Sequence, residues 1–524
     1  MKKVSTWLVT LCAALLMPAL TFAKDKAQVS KAERHDVSRP LREVTPLHTP
    51  KTRTWENPMQ FVERSAPAAQ KDPVLQESTS PNVAITGGLD FEGIGEGLVG
   101  YNARYAPPDT TGDVGATQYV QWVNTDFAVF DKASGLKTYG PASGNTLWAG
   151  FGGPCETRND GDPLVQYDQI AGRWVLSQFA LPSGGPYLQC VAVSQTSDAT
   201  GAYNRYAFSY GVNLNDYGKM GVWPDGYYFT YNMFPNAGSF GGSWMCAMDR
   251  AKMILGQPAT QQCFSTSTSY GSILPSDMDG TTQPPAGSPN YMLTDGSNSL
   301  VIWKFHVDWT TPANTTLTGP TSIPVAAFAH PCPTTSRGAC VPQAGSAQKL
   351  ESLADRLMYR LAYRNFGTHQ SLVVSQAVAV GSGRKGTRTG IRWYELRNPN
   401  GPVSVYQQAT YAPADTNWRW MGSGAMDKVG NLAIGFSVSG AINPSIRFAA
   451  RAASDPLSTL GSETTLKAGT GAQTQSLARW GDYATISVDP ADDCTFWFTT
   501  EYLAANGTWN WHTRINSFKL QGCQ

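Results

Sequence analysis

Six aspartates, Asp109, Asp162, Asp216, Asp279, Asp355 and Asp482, stand in short polar clusters along the chain, with Lys219, Arg356, Arg419 and Arg479 among them. Carboxylates and guanidinium groups gathered in one concavity suit glycoside hydrolysis or polysaccharide lyase chemistry. One carboxylic acid protonates a leaving oxygen while a second carboxylate serves as base or nucleophile. Asp109, Asp162, Asp216 and Asp482 are the candidates for those roles. Lys219, Arg356, Arg419 and Arg479 are the candidates for gripping a sugar carboxylate, which a guanidinium holds through two parallel hydrogen bonds. Trp420, Trp480 and Tyr483 offer ring faces on which a sugar can stack.

A structural reading competes with this one. Asp at the start of a strand accepts hydrogen bonds from backbone amides and fixes the turn. A catalytic group is needed once, so recurrence favours that role for most of the aspartates. The cations that break the repeat are then the stronger functional candidates. Asp277 and Asp279, in Asp277-Met-Asp-Gly280, cluster oxygen ligands of the kind calcium takes, as does Asn159-Asp-Gly-Asp162. Both lack the terminal bidentate Glu of a full loop, and an Asp-Gly turn accounts for them as well. No cofactor is required by this chemistry, and calcium is the one candidate ion. HExxH, GxSxG and the phosphate-binding loop do not occur, so zincin, α/β-hydrolase and nucleotide chemistry have no support.

The polar clusters open seven similar units. They begin at Pro107-Pro-Asp-Thr-Thr-Gly-Asp113, Asn159-Asp-Gly-Asp-Pro163, Asn215-Asp-Tyr-Gly-Lys219, Ser276-Asp-Met-Asp-Gly280, Leu353-Ala-Asp-Arg356, Trp418-Arg-Trp-Met-Gly422 and Arg479-Trp-Gly-Asp-Tyr483. Each leads into apolar stretches joined by turns. The hairpins Gln166 to Ser177, Ala425 to Ser437 and Ser487 to Thr499 all run strand, Asp, short turn, apolar strand. This repeat predicts an all-β fold, a β-propeller with seven blades. The polar starts would then converge on one face, around the mouth of the central channel. Two β-sandwich domains split near residues 320–345 would give no reason for seven similar starts. Residues 350–364 can be read as an amphipathic helix or as a unit start, and the repeat favours the start.

Composition agrees with strands and tight connections: 51 Gly and 34 Pro accompany 16 Trp and 22 Tyr. Lys2 and Lys3 precede an apolar stretch from Trp7 to Leu20, and Thr21-Phe-Ala23 offers a cleavage site. Residues 1–23 therefore read as a signal peptide. Residues 24–88 are charged and aperiodic, which predicts a disordered leader or propeptide, free or laid along the surface. Residues 89–524 make the propeller domain. Cys12 leaves with the signal, and eight cysteines remain for disulfides in an oxidising compartment. The simplest pairing joins neighbours: Cys155 to Cys190, Cys246 to Cys263, Cys332 to Cys340 and Cys494 to Cys523. The net charge of +1 disfavours nucleic acid as a partner. No later apolar run is long enough to span a membrane. A secreted or periplasmic monomer is expected.

The stretches Pro107-Pro-Asp-Thr-Thr-Gly-Asp-Val-Gly115, Asn215-Asp-Tyr-Gly-Lys-Met-Gly-Val-Trp-Pro-Asp-Gly226, Asp355-Arg-Leu-Met-Tyr-Arg-Leu-Ala-Tyr-Arg364 and Trp480-Gly-Asp-Tyr483 resemble those of uncharacterised exported bacterial β-propeller proteins. That resemblance spans Tyr105 to Cys523 and implies no particular activity. The Asp-turn-aromatic hairpins also resemble the Asp-box hairpins of sialidase-type propellers, although none matches S-x-D-x-G-x-T-W.

Two functions follow from different classes. The first is a secreted carbohydrate-active enzyme, a hydrolase or lyase with its site at the channel mouth. The second is a non-catalytic propeller, adhesin or lectin-like, that holds an extracellular glycan, a cell-surface polymer or a protein. The mixture of Asp, Lys and Arg at the mouth favours the enzyme.

Overall fold

Segments such as Leu432–Ser439 (LAIGFSVS) and Thr495–Leu503 (TFWFTTEYL) are buried along almost their whole length, so both sheet faces are covered. That explains apolar runs in place of strict alternation: each sheet is packed between two others. The computed structural model describes residues 26–47, 54–55, 72–79, 83–332, 338–381 and 388–524. The expected signal segment 1–23 lies outside the described residues.

The fold is all-β and propeller-like. Antiparallel four-stranded meanders follow one another along the chain. Their first strands are Thr111–Val114, Gly161–Asp168, Asn213–Trp223, Leu274–Asp279, Met358–Asn365, Trp418–Met426 and Thr485–Val488. We call the meanders units one to seven in that order. Each first strand lies beside the next, and that of unit seven also lies beside that of unit one. Units four and five are joined into one sheet by parallel pairing of Leu274–Asp279 with Met358–Asn365. Aromatic pairs fill the space between units. Phe448 stacks on Phe518 at 3.8 Å between units six and seven, and Tyr119 on Trp497 at 5.3 Å between units one and seven. The helix alternative over residues 350–364 is not realised, since strands Ser346–Glu351 and Met358–Asn365 occupy that stretch.

The seven starts have a common backbone device. Asp109, Asp162, Tyr217, Ser272, Leu353, Met421 and Asp482 all adopt φ between 45° and 61°. A side-chain-bearing residue takes this left-handed conformation at a cost of about 1 kcal/mol or more, so surrounding structure must enforce it. One such residue sits at or just before each first strand, where the chain turns into it. Side chains then tie unit to unit. Asp113 accepts from the Tyr167 amide at 2.7 Å, Asp162 from Tyr217 at 2.9 Å, and Ser423 from Ile486 at 3.2 Å. Asp168 and Asp427 accept amide hydrogen bonds within their own hairpin turns, which is the turn-fixing role expected for such hairpins.

All four disulfides join the expected neighbours: Cys155–Cys190, Cys246–Cys263, Cys332–Cys340 and Cys494–Cys523. Such bonds persist in oxidising surroundings. Among the described residues no helix is long and apolar enough to cross a membrane.

The leader departs from expectation. Of residues 24–88, those at 24–25, 48–53, 56–71 and 80–82 lie outside the described residues. The rest contributes edge strands. Gln28–Lys31 adds to the outer strand of unit three, and Arg34–Val37 to that of unit two. Leu75–Gln76 runs parallel to the outer strand of unit five. Ile85–Glu92 supplies the fourth strand of unit seven, so the boundary at residue 88 falls inside a strand. Apolar periodicity missed these pieces because backbone pairing to open sheet edges holds them. Ion pairs add to this, Asp36 with Arg205 at 2.7 Å and Asp72 with Arg392 at 2.8 Å.

Candidate functional site

Groups from units one, two, three, five and seven meet where the chain enters the first strands. Lys219 is their centre. The left-handed turn at Tyr217 and an irregularity between Asp216 and Lys219 in the strand register aim its amine inward. It has no solvent-exposed surface, and its ammonium nitrogen lies 3.4 Å from the Tyr217 ring centre and 4.1 Å from that of Tyr483. Aromatic faces attract a cation in this position. Nζ also donates to the Gly218 carbonyl at 2.8 Å. Burial pulls the amine down to about 8, while Asp162, Asp109 and Asp482 hold it up and Arg356 adds to the depression.

The other cations are already engaged with carboxyl groups. Arg356 donates from Nε and Nη2 to Asp355 at 2.8 and 3.0 Å, with its guanidinium 4.5 Å from the Tyr217 ring centre. Arg479 donates to Glu351 at 3.0 Å and to Asp482 at 2.6 Å. Glu351 ends a hairpin, Ala339–Gln343 with Ser346–Glu351, inserted between units four and five. Burial drives Glu501 well above the usual carboxylate range, although it accepts from the Gly481 amide at 2.8 Å. Tyr483 donates to the Pro163 carbonyl at 3.0 Å. Of the carboxyl groups around Lys219 and Arg356, Asp355 is the one with substantial exposure, 38 % of its side chain.

The structure thus brings together Asp109, Asp162, Asp482, Lys219, Arg356, Arg479 and Tyr483 from the expected set. Asp216 stands beside them in sequence, half-buried, opposite Asn232. Three expected residues serve elsewhere. Arg419 is buried in ion pairs with Asp415 at 2.7 Å and with Glu463, both of which lie near its own sheet. Trp420 and Trp480 are fully buried and pack on each other at 5.7 Å, with Trp480 donating to Ser437 at 3.1 Å. Their faces belong to the core rather than to a sugar. The ring of Tyr483 is faced by Lys219.

Asp277 and Asp279 lie toward the other end of the first strands and do not join the Lys219 group. In place of an ion they hold Arg360, which donates to Asp277 at 2.6 Å and to Asp279 at 2.5 and 3.2 Å. Among the described residues no group of three or more His, Cys, Asp or Glu is arranged to hold a metal ion. Asp113 belongs to this second cluster. Burial pushes its carboxyl up to about 7, Arg360 and the Tyr167 amide oppose that, and Asp277 adds to it. A cleft of about 20 Å³, room for about one water, lies among Asp113, Gln166, Gln169, Asp277, Asp279 and Arg360.

Sequence reasoning missed Tyr217, Glu351, Glu501, Asp113 and Arg360 as members of these clusters. Arg360 and Asp113 stood within the resembling stretches. Glu351 and Glu501 carried no signal, because the first comes from an insertion and the second from a second strand of its unit.

No family model and no curated protein matches the chain. Solved structures similar to it include an α-L-arabinanase from Penicillium chrysogenum, 8% identical, covering 83% of this chain and 100% of that one, with a TM-score of 0.35. An endo-arabinase from Bacteroides thetaiotaomicron is 11% identical, covers 73% and 100%, and has a TM-score of 0.28. The N-terminal domain of Nup159 is 6% identical, covers 90% and 100%, and scores 0.33. Likeness of this degree extends to enzymes and to a protein not named as one, and no activity is taken from it.

Proposed function

We propose that the chain is an exported, closed seven-bladed propeller that acts on an extracellular glycan at the end of its central channel where Lys219 lies. The observation that carries this reading is the convergence of Asp109, Asp162, Lys219, Arg356 and Asp482 from separate units onto one point. The titration of the group is also split. Burial depresses the Lys219 amine and raises the Glu501 carboxyl, and Asp482 acts electrostatically on both. Groups whose proton affinities are shifted in this way suit hydrolase or lyase chemistry, in which one group receives a proton and another gives one. The succession of first strands and their meeting at units seven and one support the ring, and the four disulfides support export.

The competing reading is a structural plug, and the complete burial of Lys219 favours it. A non-catalytic glycan-binding propeller uses the same end of the channel. The experiment is a polysaccharide panel read for newly released ends, alongside binding, with wild type, Lys219→Met and Asp482→Asn. Glycan cleavage lost in both variants, with little change in melting temperature, supports the enzyme. Binding retained without cleavage in wild type supports the lectin-like alternative. Neither binding nor cleavage in wild type, with early melting in both variants, would leave the plug.

A further inference from the structure

Sheet edges differ around the ring, and the difference singles out the leader. A strand at the edge of a sheet carries unpaired backbone groups on which another chain can build. Folded proteins blunt such edges with bulges, prolines, charges or short strands. In five units the outermost strand meets its neighbour across a break in register. These strands are Lys137–Ser143 in unit one, Thr316–Pro324 in unit four, Ser404–Tyr411 in unit five, Thr464–Lys467 in unit six and Ile85–Glu92 in unit seven. Pro141 and Pro320 interrupt the first two further, and the strand of unit six has only four residues. Among the described residues, the outer pairings of units two and three show no such break. Tyr203–Ser209 pairs with Leu188–Ser194 over seven residues in continuous register, and Thr260–Ser265 pairs with Ser243–Met248 over five. These are the two meanders to which the leader adds an antiparallel fifth strand, Arg34–Val37 on unit two and Gln28–Lys31 on unit three.

The leader is seated by a few anchors. Asp36 holds Arg205 through both carboxylate oxygens at 2.7 and 2.8 Å, Arg34 donates to the Phe151 carbonyl, and Leu41 is buried among residues of units one and two. Between the anchors the fit is open: clefts of about 240 and 420 Å³ run along residues 38–46 against units one and two. The added strands are themselves poor templates, each of four largely exposed residues with charged side chains. We propose that residues 26–47 are a removable edge guard, and that their release turns the outer strand of unit two into a docking surface for a second copy of this chain. The carbonyls of Tyr203 and Ala207 now accept from the Ser38 and Glu33 amides at 2.8 Å each, and both would be freed. An antiparallel edge is complementary to itself about a twofold axis. Pairing centred on Tyr206 sets Arg205 of each copy opposite Ala207 of the other, so like charges do not face across the new ladder.

The test uses the full chain with a specific-protease site in place of residues 48–53, cut after folding. Asp36→Asn and Leu41→Ala are added so that the cut leader can leave. Light scattering should show a monomer before the cut and twice that mass once the leader has gone. A synthetic peptide of residues 26–47 should restore the monomer. The same peptide carrying Asp36→Asn should be needed at about tenfold higher concentration, as the loss of hydrogen bonds to a charged group implies. Ala207 turns its carbonyl, and with it its amide, toward the leader. Ala207→Pro therefore removes an outward donor and should keep the released chain monomeric. A released chain that stays monomeric with its near-ultraviolet circular dichroism intact overturns the proposal. So does a dimer already present before the cut, or a leader that leaves only when the chain unfolds. Association that neither the peptide nor Ala207→Pro prevents overturns it as well, because the contact then lies elsewhere.

Discussion

Replacing Asp113 by Asn should remove a defined part of the protein's pH dependence of stability. The folded carboxyl titrates at about 7 against 3.8 for the free group. Folded protein therefore binds this proton more tightly than unfolded protein does. The contribution is fully present below pH 4 and is lost as pH rises toward 7, the reverse of the usual salt-bridged aspartate. At roughly 1.4 kcal/mol for each tenfold change in proton affinity, that difference sets a ceiling of about 4 kcal/mol. Asp113 is partly open to the small cleft beside it, so water screens some of this, and about 1–3 kcal/mol is the working figure. Asn cannot accept from both the Val114 and Tyr167 amides, as Asp113 does at 2.7 Å each. The variant thus loses about 1 kcal/mol at every pH. The informative quantity is the difference in slope. Urea unfolding of both proteins at pH 5 and pH 8.5 should show wild type losing about 1–3 kcal/mol more than the variant over that interval. Parallel loss would refute the reasoning, because it would mean that Arg360 keeps Asp113 ionised throughout.

Arg419→Met removes the buried partner of Asp415 and Glu463 and should cost about 3–5 kcal/mol in denaturant melts, with glycan binding unchanged. Cys494→Ser with Cys523→Ser opens a link between residues 29 apart and should lower stability by about 3 kcal/mol, read as a drop in melting temperature under non-reducing conditions. A chain starting after Leu47 loses two edge strands and should still unfold cooperatively at a reduced temperature. A chain starting after Glu92 lacks the fourth strand of unit seven and should fail to fold, seen as loss of the near-ultraviolet circular dichroism signal.

The repeat was legible because Asp, Gly and aromatic residues recur wherever the chain turns into a first strand. Five of the seven left-handed residues fall inside the starts read from the sequence, and Leu353 opens another. Ser272 precedes the start read at Ser276, so unit four begins a few residues early, and Asp277 and Asp279 fall toward the far end of their strand. The disulfides followed from neighbour pairing because each unit is built from consecutive strands. The edge strands from residues 28–37 were hidden, since a strand held by backbone bonds needs no apolar pattern. The fates of Arg419 and Arg479 illustrate the limit on site residues. Both stand near the start of a first strand, and only the placement of Glu463 and Glu351, distant in sequence, decides where each guanidinium points.

The pairing of Ile85–Glu92 with Trp511–Leu520 has a consequence for how the protein is made. More than four hundred residues separate the two strands, so during synthesis the early one has no partner until nearly the whole chain has followed. Six meanders can assemble in order as they emerge, but the seventh waits for the carboxy-terminal strands. A product cut short by a few dozen residues would carry a lone early strand and two unpaired edges, which are templates for intermolecular pairing. Completion of the chain and completion of the fold are thus one event, and a truncated copy is exposed to proteases and chaperones by its own geometry.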